Sequence, residues 1–226
     1  MATDDLGTIA VTGGASGLGA AVAAAVREAG GTAVTMDVDP SADVVVDLSD
    51  PRAGEEAVNR VAEEQGGLHG IVTAAGIDAC GDFEVVGAED WERVIAVNLV
   101  GTVAVVRAAL PHLELTRGRV VTVASTLGLR ALPAATAYCA SKFGVVGFTR
   151  ALAAETAGSV GVTLLIPGGM WTHFFDDRPD QYKPGADAKL NDPAQTADAV
   201  LYALTRPPGS EVRELVVTSS EEGSYP

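Results

Sequence analysis

Tyr138-Cys139-Ala140-Ser141-Lys142 sets a phenol and an ammonium four residues apart, so on a helix the two share a face about one turn apart. A phenol with its ordinary pKa near 10 is a poor acid–base at neutral pH, and a fixed positive charge beside it favours the phenolate. The expectation is that Lys142 lowers the pKa of Tyr138 and equips it to move a proton. The alternative is a surface Tyr/Lys pair without chemistry. Ser125 follows the run Val120-Val121-Thr122-Val123-Ala124, and Thr172 closes Pro167-Gly168-Gly169-Met170-Trp171-Thr172 after another apolar run. If both runs are strands of a parallel sheet, the two hydroxyls meet at its carboxyl edge, where ligands bind in such folds. Each taken singly is also an ordinary turn serine or loop threonine; the shared edge gives them a common purpose.

The elements that would position these groups alternate along the whole chain, as βα units of a parallel sheet do. Strands are predicted at Thr8–Thr12, Thr32–Met36, Asp43–Asp47, Gly70–Thr73, Arg119–Ala124, Val160–Ile166 and Val212–Val217. Helices are predicted at Gly17–Ala29, Pro51–Gln65, Ala88–Leu115, Ala137–Ala157 and Pro193–Thr205, with Pro51 and Pro193 in first turns that tolerate proline. Only about six residues separate the second and third strands, too few for the ten or more of a crossover helix. The predicted fold is therefore α/β: a Rossmann-type, doubly wound, parallel seven-stranded sheet that lacks the helix after the second strand. No repeat or composition shift marks a second domain, so residues 1–226 read as one dinucleotide-binding and catalytic domain, with the Gly/Pro-rich stretch 167–192 as a substrate lid.

The first strand runs into its helix through Thr12-Gly13-Gly14-Ala15-Ser16-Gly17-Leu18-Gly19. Spaced glycines permit a tight turn and close approach of a pyrophosphate, and the helix start offers unpaired N–H groups. A glycine-rich connection without a ligand is the other reading. Asp37 ends the second strand 18 residues after Gly19, where an acidic side chain accepts hydrogen bonds from the adenosine ribose hydroxyls. A 2′-phosphate would meet that negative charge, and no Lys or Arg occurs between Arg27 and Arg52 to offset it, so NAD is expected over NADP. A solvated turn carboxylate beside Asp39 is the bland reading.

Composition narrows the partners. The 226 residues are 47% hydrophobic and 20% charged, ordinary for a globular chain, and carry a formal charge of −15. That charge repels phosphate backbones and anionic lipid surfaces, so neither nucleic acid nor membrane is an expected partner. The N-terminus shows no signal-peptide pattern, and the apolar stretch Val94–Val106, interrupted by Asn98, Gly101 and Thr102, is shorter than a membrane span of about 20 residues. A cytoplasmic protein is expected. Cys80 and Cys139 lie far apart without metal-ligand spacing, and read as free thiols with no metal site.

Taken together these residues resemble the short-chain dehydrogenase/reductases, in the single-domain branch of about 250 residues, over nearly the whole chain. Thr12-Gly13-x-x-x-Gly17-x-Gly19 matches that family's cofactor turn, and Ser125 precedes Tyr138-x-x-x-Lys142 by the family's 13 residues. Asn98 matches its helix asparagine, Pro167-Gly168 with Thr172 its nicotinamide-binding turn, and Asp47-Leu48 its adenine-contacting pair. The family's Asn-Asn-Ala-Gly is here Thr73-Ala74-Ala75-Gly76, and the Asn before its Pro-Gly is Ile166. The resemblance implies a catalytic set of Asn98, Ser125, Tyr138 and Lys142. It implies a cofactor site of Gly13, Ser16, Gly17, Leu18, Gly19, Asp37, Asp47, Leu48, Ala74, Ala75, Gly76, Tyr138, Lys142, Pro167, Gly168, Met170 and Thr172.

The implied reaction is hydride transfer between NAD and a secondary alcohol, which the lid residues would allow to be apolar or a polyol or sugar-like compound. Tyr138 moves the proton, Ser125 hydrogen-bonds the developing carbonyl, Lys142 tunes Tyr138 and holds the ribose, and Asn98 anchors a water that passes protons outward. A ketone or 3-oxoacyl reductase using NADPH, a redox-neutral epimerase and an inactive dinucleotide-binding protein are the competing readings. Apolar residues such as Val100, Val103, Val106, Phe143, Val146 and Phe148 exceed what one sheet face covers, and the family pairs these helices, so a homodimer or homotetramer is implied.

Overall fold

A computed structural model describes residues 6–207 and 209–225. Seven strands form one parallel sheet in the order β3-β2-β1-β4-β5-β6-β7. They are β1 (Thr8–Thr12), β2 (Thr32–Asp37), β3 (Val44–Val45), β4 (Gly70–Thr73), β5 (Arg119–Val123), β6 (Gly161–Pro167) and β7 (Glu214–Val217). Helices α1 (Gly17–Glu28), α2 (Pro51–Glu64), α3 (Ala88–Ile95), α4 (Thr102–Thr116), α5 (Thr136–Glu155) and α6 (Pro193–Leu204) cover both faces.

Every residue of β1, β4 and β6 is buried, and side-chain alternation divides the core in two. Ile9, Val11, Val72 and Val121 pack with residues of α1 and α6; Ala10, Ile71 and Val120 pack with those of α2 and α4. Asp50 and Asp192 cap α2 and α6 by accepting backbone N–H groups just ahead of Pro51 and Pro193 in the first turns. The chain leaves β1 toward β2 on one side and later returns to β4 on the other. The carboxyl ends of β1 and β4 thus diverge at a topological switch point, the place in such sheets where a crevice opens.

The missing crossover helix is a real feature. Only residues 38–43 join β2 to β3, and they suffice because β3 pairs with just Met36 and Asp37, the last two residues of β2. The chain has to climb back over two residues rather than a whole strand. Farther down, Asp43 takes the place of a strand partner: its carboxylate accepts the Thr35 N–H at 2.9 Å and the Thr35 hydroxyl at 2.7 Å. Arg27 then bridges Asp43 and the Ala33 carbonyl at 3.2 and 3.0 Å, closing an otherwise open sheet edge.

The predicted helix Ala88–Leu115 is continuous from Ala88 to Thr116 but not uniform, because Ala96–Gly101 winds as a π-helical turn between α3 and α4. The wider turn redirects Asn98, whose backbone carbonyl accepts the Thr102 hydroxyl at 2.9 Å. This 29-residue run is long and apolar enough to cross a membrane by length and composition. Here it is a core helix, with Val105, Ala109 and Leu113 fully buried on the sheet. The third and seventh strands are shorter than predicted, since β3 needs only two residues and β7 starts at Glu214.

Candidate active site

A cleft of about 640 Å³ opens at the carboxyl edge above the switch point. Of the residues singled out above, Gly13, Ser16, Gly17, Leu18, Gly19, Asp37, Asp47, Leu48, Ala74, Ala75, Gly76, Ser125, Tyr138, Lys142, Pro167, Gly168, Met170 and Thr172 all line it. Asn98 stands behind its wall.

The nucleotide end is shaped by glycines. Gly13 has φ 65°, donates its N–H to the Met36 carbonyl at 2.9 Å, and lies so close to Ala75 that a Cβ would stand 2.7 Å from that residue's backbone. At Gly19 a Cβ would stand 2.0 Å from the Gly13 carbonyl oxygen. Unlike α2 and α6, α1 starts without a side-chain cap, so the unpaired N–H groups of its first turn are not taken by its own Ser16. Asp37 accepts the Ala15 N–H at 3.1 Å and the Asp39 N–H at 3.2 Å, which fixes its carboxylate against the glycine turn. Asp47 accepts the Ser49 N–H at 2.8 Å, a bond that holds its carboxyl below the usual range, and faces Arg93 at 3.7 Å.

At the other end α5 carries Tyr138 and Lys142. Lys142 is 4% exposed, stands over the Tyr138 ring with Nζ 5.6 Å from its centre, and donates to the Val123 carbonyl at 2.9 Å. Burial pushes Tyr138 up to about 12, the Ser125 hydroxyl pulls it down, and Asp78 and Arg178 act on it with opposite signs, Asp78 raising and Arg178 lowering it. Burial also brings the Lys142 ammonium down to about 8. The physical reason is shared: a poorly solvated pocket penalises the phenolate and the ammonium alike.

Ser125 ends the β5 strand path and starts a 3₁₀ turn, its Oγ accepting the Leu127 N–H at 3.1 Å. That bond occupies a lone pair and leaves the O–H to donate into the cleft. Both N–H groups of the Asn98 amide are engaged: Oδ1 accepts the Ile77 N–H at 2.8 Å, and Nδ2 donates to the Ile77 carbonyl at 2.9 Å and the Ser141 hydroxyl at 3.1 Å. Its amide therefore braces the loop after β4 against α5. The bracing lost at Ala74 and Ala75 is carried partly by Thr12, whose Oγ1 accepts the Ala75 N–H at 3.2 Å.

Thr172 lies against Gly17 and caps a 3₁₀ turn through the Phe174 N–H. Glu222 and Ser224 are among the wall residues that the sequence did not reveal. Glu222 accepts the Gly169 N–H at 2.9 Å, and Ser224 pairs with Thr126 at 2.6 Å, so the C-terminal tail ties the turn after β6 to the loop after β5. The segment Ser219–Ser224 is polar and pattern-free, and nothing in it signals this return.

The donor set fits a dinucleotide: an uncapped helix start and a turn closed to any Cβ at the phosphate position, a fixed carboxylate at the ribose position, and a Pro-Gly turn beside Tyr138. The short chain dehydrogenase family model matches residues 7–183. The chain belongs to that family. It is 31% identical over 223 residues to an oxidoreductase of Staphylococcus aureus, covering 92% of this chain and 94% of that one. A 3-alpha-(or 20-beta)-hydroxysteroid dehydrogenase of Mycobacterium tuberculosis is 30% identical over 207 residues, covering 85% and 80%, and the L-fucose dehydrogenase of Mus musculus is 27% identical over 242 residues, covering 96% and 89%. The alcohol dehydrogenase of the archaeon Thermococcus sibiricus, solved with 5-hydroxy-NADP, shares the fold with a TM-score of 0.84 at 24% identity, over 96% of this chain and 97% of that one. The chain is a short-chain dehydrogenase by fold and family, of the oxidoreductase class that acts on alcohols.

Proposed function

We propose that this enzyme oxidises a neutral secondary alcohol, or reduces its ketone, with NAD, through Tyr138, Ser125, Lys142 and Asn98. The observation that carries the reading is one cleft holding the Tyr138 phenol, the Ser125 hydroxyl and the Lys142 ammonium next to a glycine turn shaped for a pyrophosphate. When bound, the dinucleotide supplies a nicotinamide ring that takes or gives a hydride. Gly13, Ser16, Gly17, Leu18 and Gly19 would hold its phosphates, Asp37 its adenosine ribose, Asp47, Leu48, Ala74, Ala75 and Gly76 its adenine side, and Pro167, Gly168, Met170 and Thr172 its amide end.

In oxidation Tyr138 Oη takes the alcohol proton while Ser125 donates a hydrogen bond to the oxygen as it becomes a carbonyl. Tyr138 needs help to ionise, because burial holds it near 12. Lys142 gives that help, its ammonium over the ring being the counter-charge that favours the phenolate, and it holds the nicotinamide ribose. With a value near 8, Lys142 is also poised to give up and regain a proton at working pH. Asn98 steadies the Ile77 loop and α5 behind both groups, and its carbonyl is where a water would take the proton outward.

The substrate class follows from the lid. Each of its basic side chains at the cleft has an acidic partner: His173 with Asp176, Lys183 with Asp180 and Arg178 with Asp78. Phe174, Phe175, Leu127, Leu132 and Tyr182 supply the remaining wall. An uncharged alcohol with an apolar body suits that lining better than a charged compound or a polyol, although one relative is named an L-fucose dehydrogenase. NAD is favoured over NADP because Asp37 would face a 2′-phosphate and Arg27 is committed to Asp43. The fold neighbour with an NADP derivative makes the ratio of the two cofactors the quantity to measure.

We further propose a single-domain cytoplasmic enzyme, working as a homodimer or homotetramer through the exposed Val100 and Phe143 faces of the long helices. Sedimentation showing only monomer at micromolar concentration would reject the assembly. The reaction itself is tested by a panel of secondary alcohols with NAD. The expected result is NADH formation that the panel's apolar members drive best, and no turnover with any member would reject it.

A further inference from the structure

We infer that Asp78 and Arg178 are positioning residues, a buried ionic latch that holds the lid closed on Tyr138 and sets the charge balance around its phenol; the inference rests on the proton-transfer role proposed for Tyr138. The two residues are a hundred positions apart, Asp78 in the loop after β4 and Arg178 in the lid. Their Nη2–Oδ2 separation is 2.5 Å, and the side chains are 4% and 17% exposed respectively. Two other basic side chains of the lid, His173 and Lys183, pair with acids three residues away inside the lid itself, on partners that stay largely exposed. Arg178 alone among these ties the lid to the body of the sheet.

Asp78 is also held within its own loop. Asp78 accepts the Ala79 N–H at 2.8 Å and the Cys80 thiol at 3.0 Å, and burial with the neighbouring carboxylate pushes that thiol up to about 12, so it remains a donor. On the lid side the guanidinium lies over the rings of Phe175 and Phe174, at 4.6 and 5.2 Å from their centres. Phe174 in turn packs on Tyr138, with ring centres 5.6 Å apart. Contact therefore runs from Asp78 through Arg178 and Phe174 to the phenol. A second cavity of about 470 Å³ shares Gly76, Ile77, Phe174 and Arg178 with the main cleft, so the latch stands at the partition between two chambers. Opening it would expose Tyr138 to water from the far side.

The polar and titratable groups near Tyr138 come from several elements: Lys142 and Cys139 on its own helix, Ser125 after β5, Asp78 after β4 and Arg178 on the lid. Asp78 and Arg178 act on the phenol with opposite signs. Paired, they offset each other; when either is neutralised, the survivor is left as an uncompensated buried charge.

The test uses the full-length enzyme and the variants Arg178→Gln, Asp78→Asn, the double variant and Arg178→Lys, with two readouts. Hydrogen exchange of lid peptides spanning 171–183 reports the latch without reference to activity. Each single variant is expected to exchange about tenfold faster than wild type, the double variant to lie closer to wild type than either single, and Arg178→Lys to lie between wild type and Arg178→Gln. On the rising limb of the alcohol-oxidation rate against pH, Arg178→Gln should displace the curve upward and Asp78→Asn downward, each by about half a pH unit or more. Lid exchange unchanged in both single variants, or displacements of the same sign, would overturn the latch. Should a glutamine or asparagine variant not fold, the exchange of Arg178→Lys decides: wild-type protection overturns the latch and a faster lid supports it. If the lid responds as expected but Tyr138→Phe keeps the same rising limb, the latch stands and the role of Tyr138 falls.

Discussion

Lys142 stands over the face of the Tyr138 ring with Nζ 5.6 Å from its centre, while donating its hydrogen bond to the Val123 carbonyl rather than to the phenol. The ammonium is thus held by the end of β5, and Tyr138 is left to Ser125 and the lid. In that arrangement the ammonium favours the phenolate through its charge over the ring and not through a hydrogen bond. Replacing Tyr138 by Phe removes the group that takes the proton and leaves the glycine turn intact. The kcat/KM for alcohol oxidation is expected to fall by about 10²–10⁴, with NAD affinity changed by less than about threefold by fluorescence titration.

Lys142 also makes a stability prediction. Its native value of about 8 is below the ordinary 10.5, so between those two pH values the unfolded chain binds a proton that the native chain does not. Wild-type stability therefore carries a penalty below about pH 8 that is relieved as pH rises toward 10.5. Lys142→Met has no such penalty. Urea unfolding of both proteins at pH 7.5 and at pH 10 should show wild type gaining about 2 kcal/mol relative to the variant over that interval. Tyr138 does not confuse the measurement, because stability from its raised value is fully present below pH 10 and is lost only as pH rises from 10 to about 12. A constant difference across the interval would show that the ammonium is not desolvated.

Asp37 is expected to decide between cofactors. Asp37→Ala removes the carboxylate that a 2′-phosphate would face, and the ratio of kcat/KM for NADP over NAD should rise by about tenfold or more. An unchanged ratio would mean that the ribose is held elsewhere.

Asn98 is expected to behave as a brace. Asn98→Ala strands the Ile77 N–H and carbonyl and the Ser141 hydroxyl in a buried place, and should cost about 2–4 kcal/mol of unfolding free energy. Denaturant midpoints measure this directly, and a loss below about 0.5 kcal/mol would show that water replaces the amide without strain.

Gly19 has no room to change. In Gly19→Ala the new methyl would stand 2.0 Å from the Gly13 carbonyl oxygen, so the glycine turn must move. The expected result is NAD binding weakened at least about tenfold, with a stability loss of about 1–3 kcal/mol. Wild-type affinity in this variant would place the pyrophosphate away from the turn.

Much of the architecture was legible because parallel strands buried on both faces leave a strong local mark. Thr8–Thr12 and Gly70–Thr73 are apolar runs bounded by turn residues, and Pro51 and Pro193 mark helix starts where the structure places them. The six-residue gap after Met36 told of the missing crossover helix, though not how a parallel strand could follow it. That depended on β3 pairing only with the end of β2, and on Asp43 standing in for the rest. The π-helical turn at Asn98 was invisible too, because a wider turn keeps the apolar composition of the helix around it.

The amino-acid sequence alone determined which chemical groups this protein has and, through strand and helix periodicity, that Gly13, Asp37, Ser125, Tyr138 and Thr172 reach one sheet edge. Such information is local, since each residue's place follows from the element it ends or begins. Tertiary structure alone decided how those groups are tuned. The rise of Tyr138 by burial, the opposition of Asp78 and Arg178 across a hundred residues, and the return of Glu222 to Gly169 all arise from desolvation and from contacts between distant segments. Those quantities belong to the packed molecule, and residue spacing does not encode them.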